Sequence, residues 1–156
     1  MTLSHLDERQ RPRMVDVTDK PTSHRVARAT GEIRLAPATV RLVAEDGIRK
    51  GNVLVTAELA GVGAAKLTPQ LIPLCHPLLL STVRVEATLV EDGVRVTSEV
   101  RCTGQTGVEM EALTAVSVAL LTVYDMCKAV DQGMEIGAVR LVEKTKTPVE
   151  AAGGRP

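Results

Sequence analysis

Aromatic side chains are almost absent: Tyr124 stands alone, with no Phe and no Trp in 156 residues. A stacking platform for single-stranded nucleic acid therefore cannot be built. Excess charge is lacking as well. Nineteen Lys and Arg balance nineteen Asp and Glu, whereas a protein that binds bulk DNA or RNA draws on surplus positive charge. Cysteines number three, Cys75, Cys102 and Cys127, an odd count without CxxC. That argues against a disulfide framework or structural zinc, and for a reducing compartment. No apolar run reaches the roughly 18 residues of a bilayer span. Met1 to Arg13 is polar and mixed in charge, without the apolar stretch of a secretory signal. The sequence reads as a soluble, cytoplasmic protein with neither nucleic acid nor membrane as partner. What is present is 44% hydrophobic and 24% charged, enough apolar material for the packed core of one ordinary domain.

Residues 1–13 and 148–156 have no hydrophobic period and read as flexible ends around a single domain at 14–147. From Arg25 to Leu35, small or apolar residues (Ala27, Ala29, Gly31, Ile33, Leu35) alternate with polar ones, a strand signal of period two. Pro37 suits a helix first turn, and a short helix stops near Asp46-Gly47. A second helical stretch follows Gly51-Asn52 and runs to about Lys66. Between Thr68 and Pro77 the prolines forbid a regular helix and impose an extended path. Val83, Val85, Ala87 and Leu89 alternate with polar neighbours, Glu91-Asp92-Gly93 turns a hairpin, and Val94 to Val100 continue the alternation. From Gly107 to about Val130 neither Gly nor Pro interrupts a long helix that is apolar nearly all round. A last strand runs from about Ile136 to Lys144. The order β-α-α-β-β-α-β, stripped of one extra helix, is βαββαβ. That predicts an α+β, ferredoxin-like fold, an antiparallel sheet with helices on one face. The surplus apolar surface of the long helix predicts an oligomer.

Three constellations could carry chemistry. Gly61-Val62-Gly63-Ala64-Ala65-Lys66 lacks the spacing of either phosphate-loop fingerprint. Lys66 can act as a point charge on a phosphate or simply complement a helix C-terminus. Leu74-Cys75-His76-Pro77 presents a histidine on an extended segment, for acid–base or phosphate work, or as an ordinary hydrogen-bonded loop residue. No His, Cys or carboxylate set stands at metal-ligand spacing. On the long helix, Glu109 and Glu111 fall in the first turn, where the dipole favours acids. Farther on, Asp125 and Lys128, at i and i+3, share a face. Glu111 and Asp125, 14 positions apart, differ by only about 40° round the axis. An Asp–Lys pair is a place for proton transfer if buried and a plain salt bridge if not.

Several blocks together resemble one family. They include Met14-Val15-Asp16-Val17, Arg25-Val26-Ala27-Arg28-Ala29, Lys50-Gly51-Asn52-Val53 and Ala64-Ala65-Lys66-Leu67-Thr68. The longer and more specific ones are Leu71-Ile72-Pro73-Leu74-Cys75-His76-Pro77-Leu78, Thr106-Gly107-Val108-Glu109-Met110-Glu111-Ala112 and Tyr124-Asp125-Met126-Cys127-Lys128-Ala129, with Val139-Arg140-Leu141 last. In this order, over about residues 3 to 144, the chain resembles the cyclic pyranopterin monophosphate synthases of molybdenum cofactor biosynthesis. The resemblance implies a hexamer, a trimer of dimers, with active sites at subunit interfaces. It implies as substrate 3',8-cyclo-7,8-dihydroguanosine 5'-triphosphate, and as products cyclic pyranopterin monophosphate and diphosphate. The catalytic pair of the family matches Asp125 and Lys128, which would move protons. Substrate-binding positions match Leu74, Cys75, His76, Met110 and Glu111, with Glu109 beside them. Further lysines match Lys50, Lys66 and Lys144; Lys50, Lys66 and His76 would hold the triphosphate. No resident cofactor or metal is implied, and Mg²⁺ accompanying the triphosphate stays open.

The chain departs from the family after Lys144. A Gly-rich, Lys-bearing SGGKSG tail is usual there, and this chain has Thr145-Lys146-Thr147-Pro148-Val149, with Lys146 the nearest replacement. Asn52 stands where Asp is common, and Gly63 where a larger apolar residue is common. A different class of function is a regulatory module that binds the substrate without turnover, which the fold alone would permit. The joint presence of Asp125, Lys128, His76 and Glu111 favours an enzyme.

Overall fold

The computed structural model describes residues 6–150. Its elements are β1 (Ser23–Arg34), α1 (Pro37–Ala44), α2 (Val53–Leu71), β2 (Leu80–Val90), β3 (Gly93–Gly104), α3 (Glu109–Cys127) and β4 (Glu135–Pro148). The strands form one antiparallel sheet in the order β2-β3-β1-β4. This is the expected α+β, ferredoxin-like arrangement with α1 as the additional helix.

Period-two alternation decides which face of the sheet is buried. Ala27, Ala29, Ile33, Val94, Val96 and Val100 point to one side and are buried there with Ala112, Ala115, Val116, Ala119, Leu120 and Val123 of α3. The other face is a lattice of exposed charge. Arg28 on the central strand reaches Glu99 of β3 and Glu143 of β4, both at 2.6 Å, while Arg101 also holds Glu99 and Arg95 holds Glu32. Exposed ion pairs of this kind contribute a few tenths of a kcal/mol each, so this face is solvated rather than structural.

Helices α2 and α3 cover the buried face side by side and antiparallel. Lys50, just before α2, meets Asp125 at the end of α3, and a Cβ built on Gly61 of α2 would come 3.0 Å from the Ala115 carbonyl of α3. Asn52 caps α2 by accepting from the Val55 N–H at 2.9 Å. Its amide nitrogen donates to Asp46 at 2.8 Å, a bond that the aspartate common in the family could not make. The loop after α3 is tied to α1 by Asp131, whose buried carboxylate accepts from the Ala36 N–H at 2.7 Å. That bond above all holds its pKa below the usual aspartate range.

Two expected boundaries shift. Helix α2 continues past Lys66 and through Pro69 to Leu71, so the stretch from Thr68 to Leu71 is helical, not extended. Proline at position 69 forfeits the N–H that would bond the Ala65 carbonyl, so the last turn rests on other bonds. The turn is closed by Ile72 N–H on the Thr68 carbonyl (2.9 Å) and by the Thr68 hydroxyl on the Ala64 carbonyl (3.0 Å). Strand β4 continues beyond Lys144 to Pro148, because its ladder with β1 persists as far as Ser23 opposite Pro148. At the other end, the 6–13 stretch folds into a turn in which the Asp7 carboxylate accepts from the Arg9 and Arg11 N–H groups. Residues 1–5 and 151–156, the outer parts of both ends expected to be flexible, lie outside the described residues.

Helix α3 is long and apolar enough to cross a membrane, with a mean hydropathy of 1.4. Half of that window is buried against the sheet and α2, which is the environment of a core helix. The helix layer is nonetheless incompletely covered. Val55, Leu59, Leu67 and Leu71 of α2 and Leu121 of α3 are each more than half exposed.

The two glycines of α2 make opposite predictions. A Cβ at Gly61 would meet Val85 at 2.8 Å, while nothing lies within 4 Å of one at Gly63. Gly63→Ala should stabilise the protein by about 1 kcal/mol through helix propensity, and Gly61→Ala should destabilise it by about 1–3 kcal/mol through overpacking. Thermal and urea unfolding of both variants checks the pair.

Candidate functional site

Two polar clusters stand at opposite ends of α3. At its C-terminal end, the Asp125 carboxylate accepts from Lys128 Nζ at one oxygen and from Lys50 Nζ at the other, both at 2.7 Å. Lys50 donates a second bond to the Asp125 backbone carbonyl at 2.9 Å. The i, i+3 spacing sets the Lys128 contact, whereas Lys50 arrives from the loop before α2. All three side chains are about half exposed. Hydrogen bonds from Lys128 and then Lys50 hold the Asp125 pKa down at about 2, and Asp125 in turn raises that of Lys128. The cluster carries a net charge of +1. An ammonium has three donors; Lys50 uses two of them within the cluster and Lys128 one, so spare N–H groups remain for an incoming anion.

At the N-terminal end, Glu111 is 1% exposed. One of its oxygens takes the Cys75 thiol at 3.6 Å, and the other has no partner. The helix dipole favours a charged carboxylate in this first turn, but burial dominates and raises the Glu111 pKa. Burial, then the charge of Glu111, pushes the Cys75 thiol up to about 11. Cys75 is therefore a protonated donor, not a nucleophile. His76 stands beside it with Nε2 at 2.7 Å from the Val15 carbonyl. A carbonyl only accepts, so Nε2 carries the hydrogen and Nδ1 is the nitrogen left for proton exchange. Leu74, Cys75, His76, Glu109 and Met110 line a cavity of about 270 Å³, with Glu111 behind it. Gly107 leaves room for the Glu109 carboxylate, which folds back over it and meets Lys144 Nζ at 3.5 Å.

The expected site residues thus fall into two groups that one chain does not bring together. Glu111 and Asp125 are separated by about 21 Å at ~1.5 Å of rise per residue. The expected grouping of Lys50, Lys66 and His76 is divided: Lys50 belongs with Asp125, and His76 with Cys75 and Glu111. Lys66 is exposed on α2, five positions beyond Gly61 and so roughly 7 Å farther toward the Glu111 end. Sequence reasoning did not single out Val15, Val17 and Lys20, which also line the cavity. Val15 and Val17 fall in the Met14–Val17 block, a stretch without helix or strand period, and Lys20 falls outside it.

Comparison with known proteins gives the family. A sequence model of the MoaC family matches residues 14–147. The chain belongs to that family. It is 56% identical over 145 residues to a cyclic pyranopterin monophosphate synthase of Parvibaculum lavamentivorans, covering 92% of this chain and 91% of the relative. Proteins of the same name from Methylobacterium sp. strain 4-46 and Roseiflexus sp. strain RS-1 are 59% and 57% identical, again over 92% of this chain and 91% and 92% of their own lengths.

The buried glutamate has a measurable signature. Because its folded pKa is raised above the ordinary 4.5, the folded state binds more protons than the unfolded state at pH values between the two. Its contribution to stability is therefore lost as pH rises through and above that value. Glu111→Gln cannot ionise, so the Tm difference, variant minus wild type, should become more positive as pH rises from 4 to 8. A difference independent of pH would show that Glu111 is not buried as described.

Proposed function

We propose that the protein is a cyclic pyranopterin monophosphate synthase of molybdenum cofactor biosynthesis, a phosphorus–oxygen lyase. It converts (8S)-3',8-cyclo-7,8-dihydroguanosine 5'-triphosphate to cyclic pyranopterin monophosphate and releases diphosphate. The observation that carries the mechanism is the pairing of a net-positive Lys50–Asp125–Lys128 cluster with a buried carboxylate, Glu111, beside Cys75 and His76.

The two clusters suit different parts of this substrate. Glu111 presents an unpartnered buried oxygen that accepts from ring N–H groups, and the protonated Cys75 thiol keeps its other oxygen occupied. The lysine cluster supplies cationic donors to the triphosphate. Phosphoryl transfer depends chiefly on positioning and charge neutralisation, and here the lysines supply the charge with no resident cofactor. An Asp125 held at about 2 is a poor proton acceptor near neutral pH. Its part is to orient Lys50 and Lys128, while protons released as the purine ring opens and the pterin closes move through His76 Nδ1 and the lysine ammonium groups.

A separation of about 21 Å is too long for one bound substrate to bridge, so each site is shared between subunits. The Asp125 end of one chain meets the Glu111 end of another. An isologous, antiparallel docking of two helix layers produces two such sites per dimer and buries the exposed Val55, Leu59 and Leu121. Three dimers complete a hexamer, which works in the cytoplasm.

Turnover tests the reading. Purified protein is incubated with the cyclised dihydro-GTP intermediate, the products are oxidised, and fluorescent pterin is measured. Wild type should form it, and Asp125→Asn and Lys128→Ala should lose on the order of 10²-fold or more. No pterin from a folded wild type would leave a binding module instead. Inactive Lys128→Ala and His76→Ala chains, refolded together in equal amounts, should recover about one quarter of wild-type activity, because one of every four shared sites is then intact. No recovery would place each site within a single chain.

A further inference from the structure

One wall of the Cys75–His76 cavity is formed by a segment to which the reaction above assigns no part. Residues 14–20, which have no helix or strand structure, pass along the rim and contribute Val15, Val17 and Lys20 to the lining. The strap is pinned at two points. His76 donates to the Val15 carbonyl at 2.7 Å. The Gln105 side-chain amide donates to both the Thr18 and Lys20 carbonyls, at 3.1 and 3.2 Å. Within the strap, the Lys20 N–H closes a turn on the Val17 carbonyl at 3.0 Å. The Asp16 carboxylate is occupied by the N–H and hydroxyl of Thr18.

The backbone of Lys20 is therefore fixed at the rim while its side chain is exposed. Among the described residues, no carboxylate lies within ion-pair distance of its ammonium. The other lysine at this end of the cavity, Lys144, is paired with Glu109. A lysine anchored at its base and unneutralised at its tip is a point-charge ligand for phosphate oxygens.

We propose that Lys20 is a further substrate-binding residue, a ligand of the substrate's phosphate chain, held at the cavity by the strap that His76 and Gln105 anchor. The inference rests on the reaction proposed above and deepens it. Anchor and ligand lie on one strap: Val15 fixes which nitrogen of His76 carries the hydrogen, and Lys20 follows five residues later.

The test is steady-state turnover of the cyclised intermediate, with inhibition by inorganic diphosphate, in Lys20→Gln, Lys20→Arg and Gln105→Ala. For Lys20→Gln, KM and the diphosphate inhibition constant should both rise about 10-fold, the effect of one exposed charge-assisted hydrogen bond, with kcat within about 2-fold of wild type. Lys20→Arg should restore most of the loss, and Gln105→Ala should raise KM in the same direction by freeing the strap. Wild-type KM and diphosphate inhibition in Lys20→Gln would overturn the proposal, as would an arginine variant no better than glutamine. Calorimetric titration of diphosphate into wild type and Lys20→Gln separates the two readings. If wild type turns nothing over, the reaction fails, while a loss of diphosphate binding in the variant would still stand for Lys20.

Discussion

The packing of α3 on the sheet governs everything else in this molecule. Ala112, Ala115, Val116, Ala119, Leu120 and Val123 leave essentially no surface accessible to water, and small residues among them let the helix lie close to β1 and β3. A helix seated this tightly is a rigid rod. The groups at its two ends, Glu111 and Asp125, are therefore held at a fixed spacing of about 21 Å. No side-chain motion closes such a gap. The same seating leaves apolar residues, Val55, Leu59 and Leu121 among them, on the outward surface of the helix layer.

The two carboxylates at those ends are pushed in opposite directions by ordinary causes. Asp125 lies between two ammonium groups and is held at about 2; Glu111 lies in the interior and is raised. Environments that drive acid groups apart in this way mark places where acids take different tasks. Asp125 is held charged in its ion pairs with Lys50 and Lys128. Glu111 has one oxygen on the Cys75 thiol and the other without a partner. At the Glu111 end, burial and then the charge of Glu111 push the Cys75 thiol up to about 11, which keeps it a hydrogen-bond donor to that carboxylate.

How much of this was legible in the sequence follows from the range of each interaction. Alternation at Val83, Val85, Ala87 and Leu89, the Glu91-Asp92 hairpin and the uninterrupted helix after Gly107 are local patterns, and each corresponds to an observed element. The end of α2 was misread because proline is treated as a stop, while Thr68 and Ile72 supply the bonds that let the helix pass it. Within the site, Asp125 with Lys128 is an i, i+3 relation and can be read directly. Lys50 reaches Asp125 across 75 positions, which no periodicity reports. Glu111 in a first turn looks like a dipole partner; only the fold shows it buried, because an all-round apolar helix gives no sign of which side faces the core. Lys20 is hidden for a related reason, since a strap without a period is positioned by what it touches.

The altered tail can be judged by the same geometry. The family's Gly-rich stretch is replaced here by Thr145-Lys146-Thr147-Pro148, which continues β4 in register with β1: Lys144 lies opposite Ala27, and Lys146 opposite Arg25. Residues two apart on a strand share a face. Ala27 is buried beneath the helices, so Lys144 and Lys146 both stand on the helix side, and Lys144 indeed reaches Glu109 on α3. Here that stretch is part of a paired strand. Pairing with β1 fixes Lys146, like Lys144, on the helix side of the sheet, in backbone that has less ordering entropy left to lose.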